Sequence, residues 1–294
     1  MSQRGGGWSG WLWTAPWWLG FLFFLVTPMA TSLYISFCDY SLLQPAVWVG
    51  GENYAELAAD PVFWKAIRSN LLFAALSIPL TTAVAIGLAI LLNQPVRGQA
   101  FFRAVVFLPT IVPLVAVGLI WMWLLNPDFG LLNQLLRSIG IAEPPIWLER
   151  PASALAALLM ISVWGVGATV FIYLAGLQEI PQALYEAAAL DGASAIARFR
   201  HVTLPGLGPV ILFNVVLGII NAWQLFALPY VMWRTAPRPE LGVYYYNLYL
   251  FDNAFRYLRM GYASAMAWIQ FGIVLLLTAI VFWVSRRSVH YRGA

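Results

Sequence analysis

Few residues in this chain could do chemistry, and their spacing excludes most of it. Cys38 is the only cysteine among 294 residues, which leaves no intrachain disulfide and no thiolate metal site. The two histidines, His201 and His290, stand far apart, and no cluster of His, Cys and carboxylates has catalytic or metal-ligand spacing. There is no G-x-x-x-x-G-K-[ST] phosphate loop, so nucleotide chemistry must reside in another chain. The expectation is a non-enzyme that binds no metal or cofactor of its own. What remains are neutral amides set in long apolar stretches, above all Asn221 and Gln224. An amide turned toward lipid is costly, so these two are expected to face an interior surface.

The elements that must position them are membrane helices. Hydrophobic residues make up 62% of the chain and charged residues 10%, against roughly 25% charged in an ordinary soluble protein. The mean hydropathy is +0.77. The net charge of +4 is spread without any basic run, which argues against nucleic acid as a partner. No Asp, Glu, Lys or Arg falls between Arg4 and Asp39, Arg68 and Arg97, Arg103 and Asp128, Arg150 and Glu179, Arg200 and Arg234, or Arg259 and Arg286. Each interval exceeds the ~20 apolar residues a helix needs to cross ~30 Å of hydrocarbon, and helix satisfies the backbone there. Six spans are expected, near Trp17–Phe37, Asn70–Leu91, Ala104–Leu124, Ala152–Leu174, Leu207–Met232 and Ser264–Ser285. The first is too long for a secretory leader and has no small-residue cleavage site, so it is expected to be retained.

Proline and glycine punctuate these spans. Pro28, Pro79, Pro109, Pro113 and Pro229 each remove a backbone donor, so kinks are expected, and broken helices of this kind can line a pathway. Gly87, Gly118, Gly165, Gly167 and Gly218 would let helices approach closely. An even number of crossings puts both termini on one side. The basic residues divide equally between the two sides, and only the Arg286, Arg287, Arg292 group directly after the last span leans toward cytoplasmic termini.

One stretch, EIPQALYEAAALDGASAIARFRHVTLPG from Glu179 to Gly206, interrupts the membrane pattern between the fourth and fifth spans. Pro181 is acceptable in the first turn of a helix. Gln182 to Leu190 is built of strong helix formers, and Asp191-Gly192 ends it. A second short helix is expected from Ala193 to His201, stopped by Pro205 before the fifth span. Ala183, Ala187 and Leu190 share one face, with Glu186 in the same turn. A surface made mostly of methyl groups can seat closely in a groove of another protein, so a docking helix outside the bilayer is expected. An interfacial helix lying on headgroups would ordinarily show a larger apolar face and more Lys or Arg.

Glu186-Ala187-Ala188, Asp191-Gly192-Ala193, Phe199 and Leu204-Pro205 together resemble the cytoplasmic "EAA" loop of binding-protein-dependent ABC importer permeases. Further segments, WVGGENYAELAADPVFWKAIRSN (48–70), FFRAVVFLP (101–109), FGLLNQLLRSIG (129–140) and GYASA (261–265), are similar to those of the carbohydrate branch, of the maltose and glycerol-phosphate type. The resemblance implies an all-α integral membrane chain with the ABC type I importer permease fold: a single permease domain over residues 1–294, six transmembrane helices, and a cytoplasmic coupling loop at 179–206. It also implies partners, namely a second homologous permease, a dimer of cytoplasmic ATPase subunits that holds the ATP and Mg, and an extracytoplasmic solute-binding protein. Glu186 would be the acidic contact with the ATPase, Ala187 and Ala188 the close-packed surface, and Gly192 the turn that aims the helix, with Asp191 and Ala193 among the same coupling residues. The family fixes this loop in the cytoplasm of a bacterium or archaeon, hence both termini. Many sugar permeases carry Gly-Gly-Pro after the fifth span, whereas this chain has WRTAPRPELGV (233–243).

If the cargo is a sugar, amides would hydrogen-bond its hydroxyls and aromatic rings would stack on it. The candidates are Asn214, Asn221, Trp223, Gln224 and Tyr230 on the fifth span, Trp164 and Tyr173 on the fourth, and Trp268 and Gln270 on the sixth. Any single ring is more often an interfacial anchor. A phosphorylated polyol is the alternative cargo and would want a cation such as Arg68 or Arg234 near a mouth. An ion-coupled secondary transporter would more often carry an ionisable group at midplane, and none is present in the expected spans.

Overall fold

A computed structural model describes residues 6–233 and 244–286. Expectations resting on Arg4, Arg234, Arg238, Arg287, His290 and Arg292, and on residues 234–243 of the segment that stands where many sugar permeases have Gly-Gly-Pro, lie outside those residues. In chain order the elements are α1 (Gly6–Phe21), α2 (Thr27–Ile35), β1 (Cys38–Asp39), β2 (Val47–Trp48), α3 (Glu52–Ala59) and α4 (Pro61–Leu92). Then come α5 (Gln99–Phe107), α6 (Leu114–Leu124), α7 (Leu131–Ser138), α8 (Pro151–Trp164) and α9 (Gly167–Gln178). The chain continues with α10 (Gln182–Leu190), α11 (Ala195–Arg198), α12 (Leu204–Gly206), α13 (Gly208–Trp223), α14 (Ala227–Met232), α15 (Tyr246–Phe251) and α16 (Met260–Ser285).

Four stretches are long and apolar enough to cross a membrane outright: Trp13–Ile35, Pro61–Leu92, Gly208–Met232 and Met260–Ser285. They match the first, second, fifth and sixth expected spans. The third and fourth depart from simple rods. Gln99–Ile111 and Leu114–Leu124 meet at 99°, and Pro151–Trp164 and Gly167–Gln178 at 48°. The first of these bends follows from its prolines. Pro109 sits in a tight 3₁₀ turn, Leu108–Ile111; the residue before Pro113 is forced out of the helical region, and Val112 accordingly lies at φ −72°, ψ 127°. At Pro28 the perturbation takes another form, a π turn over Leu22–Val26, where the Thr27 N–H reaches back to the Leu22 carbonyl. At Pro79 the expected kink does not break the helix: α4 runs through it, and in that turn the Thr81 hydroxyl donates to the Ser77 carbonyl at 2.7 Å.

The chain divides into two compact units. One comprises the N-terminal segment through Pro61 with Leu250–Gly272, the other Val62–Tyr249 with the segment from Ile273. In the first, β1 and β2 pair antiparallel, Cys38 opposite Trp48. Cys38 is fully buried there. The Asn53 amide donates to the carbonyls of Ser36 and Cys38, both at 2.9 Å, and Tyr262 donates to Asp60 at 2.6 Å. The Trp13–Ile35 stretch buries none of its apolar window, which suits a helix facing lipid or another chain.

The second unit holds two apolar clusters. One gathers Phe73, Val117, Leu125, Leu158, Ile161, Leu228, Met232 and Trp233; the other gathers Ala85, Ala89, Val170, Tyr173, Leu174, Leu177, Ile180 and Leu207. Gly167 permits the close crossing of α9 on α5, since a Cβ there would stand 2.3 Å from the Val106 carbonyl oxygen and 2.9 Å from Thr110 Cγ2. Gly118 and Gly218 also lie within tight contacts, with Val231 and Ile78. Gly87 does not, because a Cβ there would meet nothing within 4 Å, and Gly165 has only ordinary contact distances.

Candidate functional site

The second unit holds a half-open cavity of about 710 Å³, and the helix breaks border it. Thr110 and Val112 come from the 99° bend, Trp164, Gly165 and Val166 from the 48° bend, and Gln224, Leu225 and Phe226 from the break between α13 and α14. α4 adds Phe73, Ser77, Ile78, Thr81 and Thr82 to the wall, and α13 and α9 supply much of the rest. Irregular backbone at membrane depth is tolerated where it is buried in protein or lines a cavity, and these breaks meet that condition.

Among the described residues the lining carries no Asp, Glu, Lys or Arg. Its polar groups are small hydroxyls and three amides. Thr110 donates to the Phe107 carbonyl at 2.6 Å and Ser162 to Leu158 at 2.8 Å, so each hydroxyl spends its proton on its own helix and offers lone pairs inward. Asn214 is tied back in the same way, to Val210 at 2.9 Å. Asn221 and Gln224 differ: both border the cavity and are exposed, and neither side-chain amide is hydrogen-bonded to another described residue. Such a surface offers both donors and acceptors to a neutral, hydroxyl-rich molecule.

Of the sequence candidates, Asn214, Asn221, Gln224 and Trp164 therefore lie around one cavity. Trp223 is fully buried and packs edge-on to Tyr246 at 5.7 Å. Tyr173 is also fully buried, in the cluster between α4, α9 and Leu207. Tyr230 packs against Phe226 with the rings tilted, centroids 5.2 Å apart, without bordering the cavity. Trp268 packs against Phe271 at 5.6 Å and, like Gln270, belongs to the other unit. The hydroxyls of Ser77, Thr81, Thr82, Thr110, Ser162 and Thr169 escaped sequence reasoning. Their only signal was Ser or Thr inside an apolar run, and that is also how a hydroxyl satisfied by its own helix reads.

The second feature is the interrupting loop. Pro181 stands just before α10, as its N-cap with ψ 130°, rather than inside the first turn. The helix ends as its sequence dictates. Gly192 adopts φ +74°, its N–H donates to the Ala189 carbonyl at 3.1 Å, and the Ala193 N–H donates to Ala188 at 2.9 Å. Ala183, Glu186, Ala187, Asp191 and Gly192 are exposed, Ala188 and Ala193 are half-buried, and Leu190 is 90% exposed. Tyr185 on the inner side bonds the Thr203 hydroxyl at 3.0 Å and packs against the cluster around Ile180 and Leu207. The Glu186 carboxylate makes no ion pair with a described residue.

Beyond Gly192 the expected second helix is shorter and does not stop at Pro205. Ser194 caps α11 by accepting from the Ala197 N–H at 3.3 Å, a π turn over Phe199–Thr203 follows, and Pro205 lies within α12. The wider turn removes the need for an N–H at Pro205, so the chain runs on toward α13 with a single step at Leu207. A Cβ on Gly206 would come within 2.8 Å of Ile180 Cδ1, so the two ends of the loop are in close contact.

Among the described residues no three His, Cys, Asp or Glu side chains converge as metal ligands would. Residues 61–290 match the family described as binding-protein-dependent transport system inner membrane component. The chain is 39% identical to the probable ABC transporter permease protein YesP of Bacillus subtilis over 97% of this chain and 93% of that one. It is 35% identical to the sulfoquinovosyl glycerol transport system permease protein SmoG of Agrobacterium fabrum, over 89% and 85% respectively. Its fold is similar to a chain of a bacterial ABC transporter that imports the acidic polysaccharide alginate, with a TM-score of 0.82, 24% identity, and coverage of 95% of this chain and 96% of that one.

Proposed function

This chain belongs to the binding-protein-dependent inner membrane transport components, and from that membership we propose that it is the permease subunit of an ATP-driven importer of a sugar or oligosaccharide. The observation that carries the cargo class is the cavity bordered by three helix breaks. It is neutral, lined by hydroxyls, and faced by the free amides of Asn221 and Gln224. Proteins named for transport of a sulfoquinovosyl glycerol and of an acidic polysaccharide support a glycosidic, hydroxyl-rich cargo; both of those cargoes are anionic, so the neutrality of this one rests on the cavity alone. A phosphorylated polyol fits less well, because no cation among the described residues borders this cavity. An ion-coupled carrier fits less well again, for want of an ionisable group in the wall.

The whole chain acts as one permease domain in a bacterial or archaeal cytoplasmic membrane, termini and the 179–206 loop facing the cytoplasm. The loop serves as the contact with a partner ATPase that holds the ATP and Mg, and this chain performs no hydrolysis. A second permease completes the pathway, and an extracytoplasmic solute-binding protein delivers the cargo. Support for the loop assignment comes from its geometry: a methyl-rich outer face with a carboxylate that makes no ion pair with a described residue, and an inner face pinned by Tyr185 to Thr203, just before α12. A helix fastened so closely to the ends of α9 and α13 has little slack, so its displacement tilts those helices and changes which side of the membrane the cavity faces.

The experiment is uptake of neutral sugars and of glycerol phosphate by vesicles holding the assembled complex. ATP-dependent sugar uptake reduced by Asn221→Leu and Gln224→Leu is expected. Uptake and sugar preference unaltered by both changes would remove the cavity assignment.

A further inference from the structure

A helix broken inside a membrane leaves carbonyls without their usual donors four residues on, and those groups must be paired by something else. Between α13 and α14 the backbone leaves the helical ladder at Gln224 and Phe226, the latter at φ −137° and ψ −55°. The carbonyls of Ala222 and Trp223 are the last ones before the break, and each is met by a side-chain amide. Asn70 Nδ2 donates to the Ala222 carbonyl at 3.0 Å, and Asn247 Nδ2 donates to the Trp223 carbonyl at 2.7 Å. Asn70 is fully buried and used at both ends, since its Oδ1 accepts the Tyr246 N–H at 2.8 Å. Tyr246 in turn packs edge-on between Phe63 at 5.8 Å and Trp223 at 5.7 Å. One side chain of α4 thus joins the broken helix to the start of α15.

Asn221 and Gln224, the two cavity amides without partners of their own, flank the two captured carbonyls. We infer that Asn70, together with Asn247, is a positioning residue: it fixes the unwound backbone at Ala222–Trp223 and thereby aims the Asn221 and Gln224 amides at the transported solute. This rests on the reading of the cavity as a solute pathway. It adds that recognition depends on two residues, Asn70 and Asn247, that do not border the cavity. A leucine at position 70 would fill the volume but leave a buried carbonyl and a buried N–H unpaired.

The test is a double-mutant cycle in vesicles holding the complete complex, with uptake normalised to co-purified permease. The variants are Asn70→Leu, Gln224→Leu and the pair, repeated with Asn247→Leu in place of Asn70→Leu. Each single change is expected to lower uptake by about tenfold, and each pair by well under the roughly hundredfold product, because part of what the positioning residue does is to aim the Gln224 amide that the other change removes. The singles at positions 70 and 247 should also alter the relative uptake of sugars differing at one hydroxyl. Losses that multiply to about a hundredfold in the pairs, with sugar preference unchanged, would reduce both residues to general stabilisers and overturn the inference. So would failure of both the 70 and 247 variants to assemble, or wild-type uptake in either. The underlying functional reading fails separately, if the wild-type complex shows no ATP-driven sugar uptake.

Discussion

Gly192 terminates the loop helix in a conformation that most residues avoid, and replacing it isolates the loop's geometry from its side-chain contacts. Its φ is +74°, yet a Cβ built there would meet no atom within 4 Å. The cost of Gly192→Ala is therefore conformational alone, about 1–2 kcal/mol for an L-residue in the left-handed region. That corresponds to about 5- to 30-fold in the population of the capped turn. Gly192→Asn should cost less, because asparagine visits this region more readily. Gly192→Pro is worst on three counts. Proline cannot take positive φ, and it removes the N–H that bonds Ala189 at 3.1 Å. It also disfavours the conformation of Asp191, which sits at ψ 4°. If the turn aims the helix at the ATPase, stimulation of ATP hydrolysis by the loaded solute-binding protein should fall in the order Gly, Asn, Ala, Pro. Vesicle uptake should fall in the same order at equal membrane content. A proline variant that is stimulated and transports like wild type would refute the reasoning.

Gly167→Ala should lower the thermal midpoint of the detergent-solubilised protein, by an overpacking cost of about 1–3 kcal/mol, because its Cβ would collide with the Val106 carbonyl of α5. Gly87→Ala, in open space on α4, should leave the midpoint unchanged or raise it, and an equal loss at both positions would contradict the packing described. Tyr185→Phe removes the bond to Thr203 and nothing else, so uptake should fall by the equivalent of about 0.5–1.5 kcal/mol while expression persists; full activity would mean that the inner face of α10 is not pinned there. Asn221→Leu and Gln224→Leu should reduce uptake without reducing assembly, which co-purification of the partner chains would check.

Sequence legibility followed the range of the interactions. The loop from Glu179 to Gly206 could be read closely because its signals are local: a proline before the helix, alanines within it, and Asp-Gly after it. The bend at Pro109 and Pro113 was half legible, since prolines announce a perturbation but not its angle. Pro79 carries the same signal and leaves α4 continuous, with Thr81 bonding across that turn. The bend at Gly165 had no proline to mark it. Gly167 reads as one small residue among many until α5 is brought against it. Asn70 was hidden altogether: its partners lie more than 150 positions along the chain, and a lone Asn at the start of a span resembles an interfacial residue. Trp223 and Tyr173 show the converse. Rings with the right chemistry for a sugar went into the core, because apolar area decided their placement before hydrogen-bonding capacity could.

The account stands most directly on the energy source and cargo of the assembled complex. Labelled neutral sugar should accumulate in vesicles supplied with ATP on the ATPase side, with no ion gradient, and Glu186→Lys should abolish that uptake while the permease remains inserted. Accumulation driven by an ion gradient without ATP, or ATP-driven uptake indifferent to Glu186→Lys, would contradict it.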